Sequence, residues 1–243
     1  MASGVAHEIS TPLNVISGRA SIIAGSAISR RDVHKHAAVI VQQSERIAAI
    51  LKNLLAFSRR AGSNRALVDL NKLVEETVTL LAPLAMATHL ELRSTFEGGC
   101  TACVNATELQ QVLTNLIMNA VQAMPKGGTV HVSVERSSGK RPLNGSKSDR
   151  SFTQVRVRDE GTGIPPEVMP HIFDPFFTTK DVGSGSGLGL WVTYSIVKDH
   201  GGWIDVHTAL GEGTEFVVHL AEFCDVSPDS GRTPEPPSRP SWY

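Results

Sequence analysis

Between residues 32 and 60 apolar side chains return every seven positions, as Val33, Ile40, Ile47 and Leu54, with Ala37, Ser44 and Leu51 in the second seam position. Such a repeat keeps one apolar stripe along an α-helix and leaves the other faces polar. Residues 4 to 28 carry the same period through Ile9, Ile16 and Ile23, and Arg30-Arg31-Asp32 breaks the two runs apart. The pair reads as a helical hairpin. Two helices cannot bury both sides of their seams alone, so the economical solution is a four-helix bundle made by two copies of the chain; packing against the rest of the same chain is the alternative.

Ala61-Gly62-Ser63-Asn64 ends the helical pattern and opens a second segment of different grammar. A helix is expected near 69 to 87 and another from about 106 to 124. Alternating strands are expected in HLELRST (89 to 95), TVHVSVE (129 to 135), TQVRVRD (153 to 159), WIDVHTA (203 to 209) and TEFVVHL (214 to 220). The fold class is α+β: a helical hairpin forming a dimeric four-helix bundle, then an α/β sandwich with one sheet face covered. SSGKRPLNGSKSDRS, residues 137 to 151, reads as a solvated hairpin insertion. The tail has too little apolar content to fold, which gives domains at 1–62 and 63–224 and a disordered tail or linker at 225–243.

A formal net charge of −1 leaves no clustered cationic surplus for nucleic acid or an anionic membrane, so neither partner is expected. No apolar run reaches the length needed to cross a bilayer, and no secretory leader follows Met1. Three cysteines cannot build a disulfide framework, which points to a reducing compartment. Cys100 and Cys103 form C-x-x-C, but no second ligand pair stands at zinc spacing, and two small residues at a turn and strand edge are the plainer reading.

Three stretches carry chemistry. In ELQQVLTNLIMNAVQAM (108 to 124), Leu109, Val112, Leu113, Leu116, Ile117 and Ala120 make one buried stripe, and Asn115 and Asn119 stack one turn apart on another face. A neutral amide oxygen suits Mg²⁺, although a pair of exposed asparagines is also ordinary. DEGTGIP (159 to 165) ends a strand with Asp159 where a carboxylate could accept the amino hydrogen of adenine and repel the carbonyl of guanine. Gly161 and Gly163 let the backbone turn and approach a flat base. GSGSGLGL (183 to 190) runs into a helical pattern, so Gly183, Gly185, Gly187 and Gly189 free backbone N–H groups for phosphate oxygens at a helix start. The P-loop pattern, the G-x-G-x-x-G pattern after a strand and the protein-kinase signatures are all absent.

In their order and spacing these stretches resemble the catalytic core of a sensor histidine kinase. AHEISTPLN (6 to 14) resembles the phosphoacceptor box, ELQQVLTNLIMNAVQA the asparagine box and DEGTGIP the first glycine box. FDPFFTTK (173 to 180) resembles the phenylalanine box, GSGSGLGL the second glycine box and GEGTEF (211 to 216) the last. The resemblance implies that His7 attacks the γ-phosphorus of ATP, a role suited to an imidazole whose ordinary pKa of about 6.5 leaves its lone pair free at neutral pH. It implies that Glu8 orients the ring and takes its proton, that Thr11 places a water for dephosphorylating a partner regulator, and that Asn119 holds Mg²⁺. Nucleotide binding falls by the same resemblance to Asn115, Asn119, Asp159, Gly161, Gly163, Lys180, Gly183, Gly185, Gly187, Leu188, Gly189 and Thr214. Phe173, Phe176 and Phe177 would anchor a lid whose moving part runs from Thr178 to Ser184.

The expected partners are a second copy and the receiver domain of a response regulator, in the cytoplasm. Pro12 offers no N–H to the carbonyl of Glu8 and crowds it, so the helix is expected to bend there and to switch between kinase and phosphatase arrangements. Only six residues precede His7, fewer than the family usually has, so a larger protein with its own sensor is expected. Two rivals stay open. One is a hydrolytic ATPase of the fold shared with gyrase, MutL and a heat-shock chaperone, in which a glutamate one turn before the magnesium asparagine activates water; Asn115 stands there in this chain and supplies no general base. The other is a module that binds without catalysis.

Overall fold

The computed structural model describes residues 2–25, 29–58, 65–137, 151–179 and 187–222, and within the hairpin the side chains of residues 9–25, 29–44 and 47. The expected boundary at 61–64, the core of the insertion at 138–150 and the tail from 225 lie outside the described residues. The chain groups into two compact units, one of residues 1–62 with 174–191 and the other of residues 63–173 with 192–243.

In the first unit α1 (Ala2–Gly25) and α2 (Arg30–Ser58) pack as the expected hairpin. The break lies earlier than Arg30-Arg31-Asp32: those residues form the first turn of α2, because Ser29 caps it. The Asp32 N–H donates to Ser29 Oγ at 3.2 Å, and that hydroxyl donates to Asp32 Oδ2 at 2.7 Å. α1 stays helical through Pro12, which is buried. The seam residues Ile9, Ile16, Ile23, Val33, Ala37, Ile40 and Ile47 are each only half-buried in the single hairpin, and Ser44 is exposed.

The second unit begins with β1 (Ala66–Asp69) and α3 (Leu70–Ala87), followed by β2 (Leu90–Phe96), β3 (Thr101–Val104) and α4 (Ala106–Ala123). Then come β4 (Gly128–Ser137), β5 (Phe152–Asp159), a 3₁₀ turn (Met169–His171), α5 (Gly189–Asp199), of which residues 189–191 group with the first unit, β6 (Trp203–Ala209) and β7 (Gly213–Ala221). The main sheet runs β2-β4-β5-β7-β6; β2 and β4 are parallel and the other neighbours antiparallel. β1 and β3 form a separate antiparallel pair.

α3 and α4 each have a local reason to start. Asp69 Oδ1 takes the N–H groups of Asn71 and Lys72 ahead of α3, and Asn105 Oδ1 takes the Glu108 N–H ahead of α4. The expected stripe on α4 is buried at Leu109, Val112, Leu113, Leu116, Ile117 and Ala120. It meets the sheet face formed by Val130, Val132, Val155, Val157, Phe216 and Val218, also buried. Each large side chain so buried contributes about 1.5–3 kcal/mol.

The opposite sheet face is polar, as alternation predicts. There Arg156 lies 3.3 Å from Glu135 and 3.3 Å from Glu215. Trp203 stacks on His219 at 4.2 Å, and His219 lies 2.8 Å from Asp205. Cys100 is free and buried, and burial pushes its thiol pKa up. Cys103 is disulfide-bonded, which the reading of it as a plain small residue did not foresee. Among the described residues no cluster of His, Cys, Asp or Glu could hold a metal, and no helix is long and apolar enough to cross a membrane.

Candidate functional site

The register of β5 against β7 turns Asp159 toward the helix-covered face, opposite Thr214. Only 4% of Asp159 is exposed. Its Oδ1 accepts the Gly161 N–H at 2.8 Å and the Thr214 N–H at 3.2 Å. Its Oδ2 meets no donor among the described residues. Burial pushes the Asp159 pKa above the ordinary carboxylate value, against the opposing pull of the two backbone donors. With one oxygen pinned and the other unpaired among the described residues, the carboxylate can take a donor from outside the chain.

Glycines shape this corner. Gly163 has φ +69°, and a Cβ there would fall 2.0 Å from the Ala209 carbonyl oxygen; at Gly213, φ +93°, it would fall 2.0 Å from that of Asp159. A side chain at either position would meet main chain as well as backbone strain. Gly161 fits because a Cβ would stand 2.8 Å from that of Ala123, at the end of α4. The loop after β5 is thus wedged between α4 and the β6–β7 hairpin, to which Thr162 O is joined by the Gly211 N–H at 2.9 Å.

Asn115 and Asn119 are half-buried, one turn apart on α4. Asn115 Nδ2 lies 3.4 Å from Thr193 Oγ1 on α5, so the position expected to carry a base in the hydrolytic rival holds an amide that faces a hydroxyl. An amide oxygen at Asn119 fits a hard cation that keeps most of its waters, and α4 supplies no carboxylate beside it.

In the first unit, Gly187 has φ +63°, and a Cβ there would lie 2.4 Å from the Phe176 carbonyl carbon. Phe176 itself has φ +67°. Leu188 is buried and Gly189 opens α5. Thr11 is half-buried on α1, the helix that also carries His7 and Glu8. The side chains of His7 and Glu8, and residues Lys180, Gly183 and Gly185, lie outside the described residues.

Sequence reasoning named Asp159, Gly161, Gly163 and Thr214 as candidates, and the structure brings these four together. It missed Thr208, whose hydroxyl takes the Ile164 N–H at 2.9 Å and lies 3.1 Å from Thr214 Oγ1. The signal was present in TALGEGT, where a three-residue loop sets Thr208 opposite Thr214.

Residues 104–222 match the family model of the histidine kinase-, DNA gyrase B- and HSP90-like ATPases. Residues 1–62 match that of the His kinase A (phospho-acceptor) domain. Sporulation kinase C of Bacillus subtilis is 31% identical over 90% of this chain and 48% of its own length. The sensor histidine kinase ZraS of Klebsiella oxytoca is 34% identical over 90% of this chain and 45% of its own. The chain therefore spans about half the length of the curated relatives it matches. Full-length ShkA in complex with AMPPNP superposes with a TM-score of 0.62 at 25% identity, over 88% of this chain and 44% of that one. Histidine kinase ThkA in complex with the response regulator TrrA shares the fold, with a TM-score of 0.71 at 24% identity over 92% of this chain and 61% of that one.

Proposed function

This chain belongs to the sensor histidine kinase family and carries its catalytic core, and from that premise we propose that it phosphorylates His7 from ATP and passes the phosphoryl group to an aspartate of a response regulator. The observation that carries the nucleotide half is the unpaired Oδ2 of buried Asp159, a fixed acceptor for the 6-amino group of adenine. Asn115 and Thr214 complete the base and ribose side. The N–H groups of Gly183, Gly185, Gly187, Leu188 and Gly189, with Lys180, take the phosphates. Asn119 would hold Mg²⁺ through its amide oxygen, and the ion would supply charge neutralisation for the transferring group.

His7 contributes an imidazole lone pair; the bond from phosphorus to the bridging oxygen breaks, ADP leaves, and Glu8 takes the ring proton. Thr11, one turn on, positions water for the reverse signal, removal of phosphate from the regulator. The half-buried hairpin seam, together with the exposed apolar Leu13 (51%) and Val41 (57%), supports a homodimeric four-helix bundle. The working domains are 1–62 for phosphotransfer and dimerisation, 63–224 for nucleotide binding, and 225–243 as tail. Because ATP is supplied in the cytoplasm, that is where we assign this core.

The rival hydrolase is disfavoured by Asn115, an amide at the place of the general base. The test is incubation with γ-labelled ATP and Mg²⁺. Wild type should acquire an acid-labile, alkali-stable label that His7→Gln lacks and that chelation of Mg²⁺ prevents. Steady phosphate release without protein labelling would favour the hydrolase, and label on the His7→Gln chain would remove His7 as acceptor.

A further inference from the structure

The Thr208 hydroxyl stands among three polar groups, and a count of its hydrogen and lone pairs leaves one arrangement. The Ile164 N–H, 2.9 Å away, can only donate, so it occupies one lone pair of Thr208 Oγ1. The Gly213 carbonyl, 3.0 Å away, can only accept, so it takes the single hydrogen of Thr208. The third neighbour is Thr214 Oγ1 at 3.1 Å. With the Thr208 hydrogen committed to Gly213, this contact is a hydrogen bond only if Thr214 is the donor.

The Thr214 hydroxyl hydrogen is therefore turned toward Thr208, and Thr214 offers its surroundings lone pairs alone. Its backbone N–H is already bound to Asp159 Oδ1. Beside the unpaired Oδ2 of Asp159, the corner thus presents a second acceptor and no hydroxyl donor. Facing the 6-substituent of a purine, an acceptor-only corner matches an exocyclic amino group and opposes a carbonyl.

We propose that Thr208, through its hydrogen bonds to Ile164, Gly213 and Thr214, is a positioning residue that fixes the Thr214 hydroxyl as an acceptor and so sets the site's preference for a 6-amino over a 6-oxo purine. The inference rests on the reading of Asp159 as the base acceptor. Thr208 itself touches no nucleotide. It sits on β6, and what it controls is the direction of one hydroxyl on β7.

The experiment is calorimetric titration of the full chain with ADP and with inosine diphosphate, whose base carries a carbonyl where adenine has its amino group. Wild type should prefer ADP. Thr208→Val, which keeps the shape and loses the hydroxyl, releases the Thr214 hydrogen to rotate toward a carbonyl. The ratio of the two affinities should fall by roughly tenfold. Thr208→Ser restores the hydroxyl and should restore the ratio.

A merely structural role for Thr208 would weaken both ligands alike and leave the ratio intact, which overturns the proposal. Should Thr208→Val not fold, Thr214→Val removes the acceptor at its source, and an unchanged ratio there overturns the proposal equally. Asp159→Asn separates this inference from the reading beneath it. If that variant keeps the wild-type ratio, the assignment of Asp159 fails. If it loses the preference while Thr208→Val keeps it, only the role of Thr208 fails.

Discussion

His200 joins the end of α5 to the start of α4, and its protonation state is fixed by its neighbours. Nδ1 lies 2.8 Å from the Ile196 carbonyl, which can only accept, so Nδ1 carries the hydrogen. Nε2 then holds a lone pair and accepts the Asn105 N–H at 3.0 Å. The ring is neutral and buried, and burial pushes its pKa below the ordinary 6.5, against the raising effects of the Ile196 bond and the Glu108 carboxylate. In the unfolded chain His200 takes a proton near pH 6.5, and in the folded chain it resists until lower pH.

Stability from this group is therefore complete above 6.5 and drains away as pH falls through 6.5 toward the folded value, by at most about 1.4 kcal/mol per pH unit. His219, also lowered by burial, acts in the same direction. His200→Gln, whose amide oxygen can take the Asn105 N–H, should remove one of these two contributions and flatten the loss between pH 6.5 and 5.5. His200→Ala strands that N–H and opens a cavity, costing about 2–4 kcal/mol at any pH. The assay is urea unfolding followed by tryptophan fluorescence at pH 7.5, 6.5 and 5.5, with hydrogen exchange at Asn105 as the local probe. Equal slopes for wild type and His200→Gln, or an unshifted midpoint for His200→Ala, would refute the reasoning.

Two further variants test the proposed nucleotide corner. Asp159→Asn keeps an oxygen for the Gly161 and Thr214 N–H groups but points a donor at the base, so ATP affinity should drop about 10- to 150-fold. Because burial raises the Asp159 pKa, its charge opposes folding increasingly as pH rises above the ordinary carboxylate value, so the ligand-free variant should be no less stable than wild type at pH 7; a thermal midpoint several degrees lower would contradict this. Gly163→Ala forces a Cβ to within 2.0 Å of the Ala209 carbonyl at φ +69°. It should cost about 1–3 kcal/mol and weaken nucleotide binding by displacing the loop, and unchanged melting and titration curves would count against the packing described.

The five strands of the main sheet were legible because each alternates through enough residues for one face to declare itself. β1 and β3 were not: four residues hold too few alternations, and Thr-Ala-Cys-Val is too small to mark a buried side. Nor does alternation say which neighbour a strand takes, so the parallel pairing of β2 with β4 had no signature. Among the candidate site residues, Gly163 was readable because positive φ selects glycine, and Asp159 because a carboxylate at the inward end of an apolar strand is costly without a ligand. Thr208 bonds to two main-chain groups and one hydroxyl on other segments, and a threonine in a strand is otherwise unremarkable.

The corner inherits its chemistry from the core beneath it. Thr153, Val155, Val157 and Asp159 lie on one face of β5 because successive side chains alternate, and burial of the valines holds that face against α4. A slip of β5 by one residue would present Gln154, Arg156 and Arg158 inward and send Asp159 to the polar face, at the cost of every valine contact at once. Arg158 in that position would offer a cation and five donors where the proposed base contact needs an acceptor. On the proposed reading of Asp159, apolar residues outside the nucleotide site decide its recognition, because they hold the register in which a carboxylate, rather than a guanidinium, reaches the end of the strand facing inward.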